Sequence, residues 1–242
     1  MTTKTIVVLA NSVKKSGRCL AGKEVVRSDE HWKVGNWIRP VASPTGAEVG
    51  LYSMKQALGR EPSLLEILEI PLTSPAPQPD QPENWLLFAG VWKSHGHFKF
   101  DDLPQLLDQP DNLWGTNQRY VESGFPQRMA QPASLYLILP EVISPLRVWT
   151  EEAVNEQGRQ YEKHRRRVTL RYRGTFHEFD ITDPQLQTNY YPKLPAKNDP
   201  SLTIPLRDPK KTAVCVSLTP VWQGRHYKLA AAFIELPPET KV

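Results

Sequence analysis

Leu9 to Glu24 reads LANSVKKSGRCLAGKE, and the fold turns on whether this stretch joins a strand to a helix or a strand to a strand. The apolar run Thr5 to Ala10 leads into it. Gly17, four further residues and then Gly22 and Lys23 reproduce most of a Gly-x-x-x-x-Gly-Lys-Ser/Thr phosphate loop. Such a loop needs a helix behind it, because the helix N-terminus and the loop amides hold the phosphates together. The last position breaks the pattern. Glu24 stands where a magnesium-binding hydroxyl belongs, and its carboxylate would face the phosphates. Val25 and Val26 favour a strand, and Asn11 to Ser16 separate the leading strand from the first glycine. The stretch therefore reads as glycines in tight turns between two strands. Its cations, Lys14, Lys15, Arg18 and Lys23, read as a basic surface able to receive phosphates without hydrolysing them.

Working outward, the 23 prolines spread through 242 residues forbid long helices, since proline lacks the amide donor and clashes with the preceding turn. Periodicity gives strands at Lys4 to Ala10, Trp37 to Val41, Leu64 to Leu72 and Trp85 to Trp92. A second set follows at Ser134 to Leu139, Ile143 to Trp149, Arg166 to Arg173, Thr175 to Thr182, Thr212 to Leu218 and Tyr227 to Leu236. Short helices are expected at Ser53 to Gly59, at Leu103 to Leu107 and behind the cap-then-proline pair Asp183 and Pro184. The segment PLTSPAPQPDQP, Pro71 to Pro82, reads as an extended connection with little capacity to pack. The fold class is mostly β, divided into a first unit at 1–99, a bridging segment at 100–132 and a second unit at 133–242.

Charge and composition narrow the chemistry. A hydrophobic fraction of 39% with 23% charged residues describes a soluble globular chain, and no apolar run is long enough to span a bilayer. With no export signal at the N-terminus, a cytoplasmic location without membrane partners is expected. The net charge of +4 is too small to imply nucleic acid without knowing where the charges lie. Cys19 and Cys215 read as buried free thiols. His95 and His97 lie two apart in a solvated loop without neighbouring ligands, so no metal and no cofactor is expected. Asp101 and Asp102 look like helix caps, and no catalytic motif nominates itself.

The clearest patch is EKHRRRVTLRYRGTFHEFDIT, Glu162 to Thr182. Val168, Leu170 and Tyr172 point to one side of a strand, and Arg165, Arg167, Thr169, Arg171 and Arg173 to the other. Guanidinium groups about 6.6 Å apart along one face nearly track the phosphates of a stretched strand. Against this, a hairpin turn at Gly174 sets Arg171 opposite Glu178 or Phe176 and Arg167 or Thr169 opposite Asp180, which would leave part of the face paired and idle. Lys163, Arg165, Arg166 and Arg173 have no obvious acidic partner in the hairpin. Trp32 is expected to be exposed beside the N-terminal cations, and Trp37 in the core. Trp222, Arg225, His226 and Tyr227 crowd a loop near the C-terminus that could cap a groove or simply close a hairpin.

In their order, LANSVKKSGRCLAGKE, NWIRPV (Asn36 to Val41), LLEILEIPL (Leu64 to Leu72), ENWLL (Glu83 to Leu87), DDLPQLLDQPDNLW (Asp101 to Trp114), SLYLILPE (Ser134 to Glu141) and CVSLTPVWQGRHYKLAAAFIE (Cys215 to Glu235) resemble the bacterial dual-OB domain family. The resemblance implies two small OB-type β-barrels with short connecting helices, encoded beside genes for conflict with phages and mobile elements, and recognition of single-stranded nucleic acid or a nucleotide signal. It supplies no catalytic residues. The leading expectation is a non-catalytic recognition module binding through Arg165, Arg167, Arg171, Arg173, Lys14, Lys15, Arg18, Lys23, Trp32, Trp222 and Arg225. The alternatives are a subunit docking on an effector protein of a defence system, and a nucleotide-processing enzyme holding phosphate in the Gly17 to Lys23 loop.

Overall fold

The structure, a computed structural model, describes residues 1–14, 17–28, 31–115, 117–155 and 157–235. Its first part contains β1 (Thr2–Lys14), β2 (Gly17–Ser28), β3 (His31–Val41), β4 (Val49–Gly50), helix α1 (Leu51–Leu58), β5 (Glu66–Pro75), β6 (Asn84–Leu87) and β7 (Lys93–His97). A 3₁₀ turn at Phe100–Leu106, the short strand β8 (Tyr120–Glu122) and a second 3₁₀ turn at Pro126–Arg128 lead onward. The second part contains β9 (Leu135–Ile138), β10 (Val142–Ile143), β11 (Leu146–Val154), β12 (Gln160–Tyr172), β13 (Thr175–Ile181), α2 (Pro184–Tyr190), β14 (Leu202–Ile204), β15 (Thr212–Leu218) and β16 (Arg225–Glu235).

In the first part β1, β2 and β3 pair antiparallel in sequence, β3 runs parallel to β6, and β5 pairs with both β6 and β1. The order β1-β2-β3-β6-β5 thus closes on itself as a five-stranded barrel. That order, with a parallel contact between the third and last strands, is the Greek-key arrangement of the OB fold. The second part repeats it: β11-β12-β13-β16-β15, with β13 parallel to β16. Its first strand is interrupted by Pro140 and Pro145, whose missing amides cannot join a ladder. Hence β9 pairs with β15 while β10 and β11 pair with β12, so the path from Leu135 to Val154 touches both edges of the sheet.

The two-residue period of a strand explains how the barrels meet. On β1, Ile6 and Val8 point into the first barrel with Leu20, Ile38, Leu68 and Trp92. Val7 and Leu9 point the other way, into a second apolar layer shared with Leu137, Cys215, Ala231 and Ile234 of the second part. The interior of the second barrel is separate and built on Val148, Val168, Leu170, Phe179, Val214 and Val216. A backbone bond from Val13 N to Thr182 O, 2.9 Å, also crosses the junction.

Several expectations change. The stretch that resembled a phosphate loop is the long strand β2 itself, so the enzyme alternative loses its loop. Gly22 is glycine because β1 passes so close that a Cβ there would lie 2.1 Å from Val7 O. Gly17 faces the Val49 carbonyl in the same way, at 2.6 Å. The expected strand Trp85 to Trp92 stops at Leu87, and the buried Trp92 plugs the first barrel instead. The proline-rich segment does pack: Gln78 Nε2 donates to Pro44 O (2.7 Å), and Gln81 is buried. The pair His95 and His97 lies on β7 rather than in a loop, with Glu69 and Ser63 as respective partners. Asp183 caps α2 as expected, accepting from Gln185 N. Both thiols are free; Cys215 is buried and Cys19 half-buried. Among the described residues no helix is long and apolar enough to cross a membrane.

Candidate nucleic-acid interface

The arginine row forms, but it is not the uncompensated ladder that the hairpin sequence suggested. Val168, Leu170 and Tyr172 are buried as the alternation required. Arg173 and Gly174, with φ of 46° and 77°, make the tight turn, and the register sets Arg167 opposite Asp180 and Arg171 opposite Phe176. Each of the four arginines meets a carboxylate. Arg165 reaches Glu151 at 2.7 Å, Arg167 reaches Glu178 and Asp180 at 3.2 Å each, Arg171 reaches Glu141 at 2.8 Å and Arg173 reaches Asp111 at 2.9 Å. Three of these acids, Glu151, Glu141 and Asp111, come from outside the hairpin, which is why the hairpin sequence alone did not show them. The Arg165 hydrogen bond holds the Glu151 carboxyl below its ordinary range. Arg166 turns to Gln187 instead, at 2.9 Å.

The N-terminal cations do not form one phosphate-receiving surface either. Lys23 is only 6% exposed and donates to Asp108 Oδ1 at 2.6 Å. Asp108 also accepts from Trp37 Nε1 (3.0 Å) and from the backbone amide of Leu137 (2.8 Å), so it bolts β2 and β3 to β9 of the second barrel. Arg18 pairs with Glu61 at 3.0 Å, and Lys14 donates to Gly46 O at 2.9 Å. Trp32, expected to be exposed, is half-buried against the apolar layer at the junction, with Arg27 6.0 Å from its ring. Lys15 lies outside the described residues.

What the structure brings together is a belt of rings and guanidinium groups across the outside of the second barrel. It starts at Trp222, 58% exposed on the β15–β16 turn, where Gln223 and Gly224 take φ of 50° and 75°. Trp222 lies 5.8 Å from Tyr227, and Tyr227 lies 6.1 Å from Tyr120 of β8. Arg225 stacks over Tyr120 at 4.0 Å and Arg119 over Tyr227 at 5.6 Å. Arg119 approaches Asp180 at 3.4 Å, and Asp180 also holds Arg167. Arg167 then sits over Trp149 at 5.0 Å, and Arg147 over the same ring at 5.5 Å. The register explains the continuity, because Arg147, Arg167, Asp180 and Leu229 are successive partners across β11, β12, β13 and β16.

Arg167, Trp222 and Arg225 are thus brought into one surface, while Arg165, Arg171 and Arg173 flank it. Sequence reading placed Tyr227 beside Trp222 and Arg225 but missed Trp149, Tyr120, Arg119 and Arg147 as surface groups. The one available signal was Trp149 standing out of phase with the buried Val148 in a strand of alternating residues. The middle of the belt, Arg167 and Asp180, lies on the second and third strands of an OB barrel, and Trp222 is on the loop between the fourth and fifth, the regions this fold uses for oligonucleotides and oligosaccharides; Trp149 and Tyr227 lie on the first and fifth strands.

A family model described as a dual OB-containing domain matches residues 4–233. Comparison with curated proteins found no match.

Proposed function

The chain belongs to the dual OB-containing domain family, and from that premise we propose that it is a non-catalytic module that recognises single-stranded nucleic acid along the belt of the second barrel. The observation that carries this reading is the continuous series of ring and guanidinium contacts from Trp222 to Trp149, joined at its middle by the Asp180 carboxylate. Single-strand binders of this fold stack successive bases on aromatic side chains, each worth about 1–3 kcal/mol, and guide the backbone with cations. Duplex DNA keeps its bases stacked and offers the rings nothing. Because the arginines are already paired with acids, stacking leads and phosphate neutralisation follows, so the salt dependence is shallow. The family resemblance is what supports a defence-related setting.

The test is fluorescence anisotropy with single-stranded and duplex DNA and RNA at two salt concentrations. Single strands bind, duplexes do not, and Trp149→Ala with Trp222→Ala abolishes binding. Wild-type affinity retained in that double variant overturns the proposal. A triple alanine variant at Arg167, Arg171 and Arg173 loses affinity mainly through Arg167, the member of that set that covers a ring of the belt.

A further inference from the structure

We infer that the cleft between the two barrels binds a nucleoside phosphate, free or as the terminal residue of a strand on the belt; the second form rests on the function proposed above. The cleft has a volume of about 460 Å³, within the roughly 300–1,000 Å³ typical of small-molecule sites. Its walls come from both barrels. Lys14 ends β1 and Thr45 stands on a loop of the first, Arg39 on β3, and Thr219 and Trp222 on the β15–β16 loop of the second. Trp222 belongs to belt and cleft alike, so a strand laid along the belt ends at the mouth of the cleft.

Two features of the wall call for an anion. Arg39 is 2% exposed, and its Nη2 serves Ser134 Oγ, Ser217 Oγ and the Glu83 carboxylate. Its Nε and Nη1 have no hydrogen-bond partner among the described residues. Buried guanidinium donors without acceptors are costly, and an oxyanion reaching the wall supplies the acceptors they lack. Lys14 is held in place by its bond to the Gly46 carbonyl, and no ion pair consumes its charge among the described residues. Glu48 is the acid of the wall, and it disfavours a second phosphate. The exposed indole of Trp222 offers the base a stacking face. Ring, cation and buried donors around a space of this size match a base carrying one phosphate.

The test uses the full chain and a short, internally labelled oligothymidine in four forms: with a 5′ phosphate, with a 3′ phosphate, with hydroxyl ends, and circularised. One phosphorylated form binds about tenfold more tightly than the hydroxyl-ended and circular forms, and Lys14→Ala removes the difference. Ala47→Trp, which fills the cleft from the first barrel's side, removes it too while leaving the circular form bound as in wild type. Adenosine monophosphate is titrated separately by calorimetry. Equal affinity for all four oligonucleotides with no monophosphate bound, or a preference that survives both variants, overturns the inference and leaves the proposed function standing; equal affinities with monophosphate binding that needs Lys14 uphold its free form alone. Binding of the monophosphate that needs Lys14, with no strand bound, upholds the inference and overturns the strand reading. If neither strand nor monophosphate binds, both fall.

Discussion

Lys23 and Arg167 are both cations on the second strand of an OB barrel, and they do opposite work. Lys23 is turned into the junction, where Asp108 joins it to Trp37 and to the backbone of β9. Arg167 faces outward, shared between Glu178, Asp180 and the ring of Trp149. The first barrel uses its charges to hold the second; the second displays them. The difference comes from what lies above each strand. The second barrel and the bridging segment cover β2, whereas solvent covers β12. A cation under a protein cover must have a fixed partner, because removing that partner leaves a buried charge uncompensated.

The largest effect expected from this contrast is at Asp108. Replacing it with alanine strands Lys23 and removes three hydrogen bonds, and costs about 3–5 kcal/mol of stability by chemical denaturation. Lys23→Met with Asp108→Leu recovers only the part due to the stranded charge, since Trp37 Nε1 and the Leu137 amide still lack their acceptor. A loss below about 1 kcal/mol in Asp108→Ala would show that the junction does not depend on this contact.

Next comes Asp183, also at the junction side of the second barrel, where it caps α2 and accepts from Phe233 N. Burial pushes its carboxyl up to about 6, against the lowering effect of those backbone bonds. The folded state therefore holds the proton more tightly than the unfolded state, whose value is near 3.8. Stability is highest below about pH 4 from this group, falls as pH rises through about 6, and is then lower by roughly 3 kcal/mol. Asp183→Asn keeps the cap and flattens that segment of the stability profile. An unchanged slope in the variant assigns the titration elsewhere.

On the displayed side the effects move to binding. Trp149→Ala and Trp222→Ala each weaken single-strand affinity by about 1–3 kcal/mol while altering stability little. The smallest effect sharpens the comparison most. Glu178→Gln changes stability by a few tenths of a kcal/mol, as is usual for exposed pairs. It frees one hand of Arg167, so oligonucleotide binding tightens slightly at low salt and its salt dependence steepens. If the salt slope stays unchanged, Arg167 does not contact the phosphates.

Much of the fold was legible because it rests on local patterns. Strict alternation from Val168 to Tyr172, the Arg173-Gly174 turn and the Asp183-Pro184 cap each involve neighbours in the chain, and each forms in place. The strand β2 was not legible, since its glycines answer to the approach of Val7 and Val49 from elsewhere. The candidate site was legible only in its residue types. The sequence shows that Arg165 to Arg173 alternate; it does not show that Glu151, Glu141 and Asp111 arrive beside them from other elements. Likewise the belt is assembled from β8, β11, β12, β13 and β16. No linear stretch holds more than a few of its members.

The apolar seam of Val7, Leu9, Cys215, Ala231 and Ile234 has a practical corollary for anyone dissecting this molecule. Cutting the gene in the connecting segment would yield two halves, each presenting a greasy stripe to water, and such halves clump or find each other again. Coexpressed as separate polypeptides, they should reassemble into one particle, whereas either one expressed singly should come out of the cell insoluble.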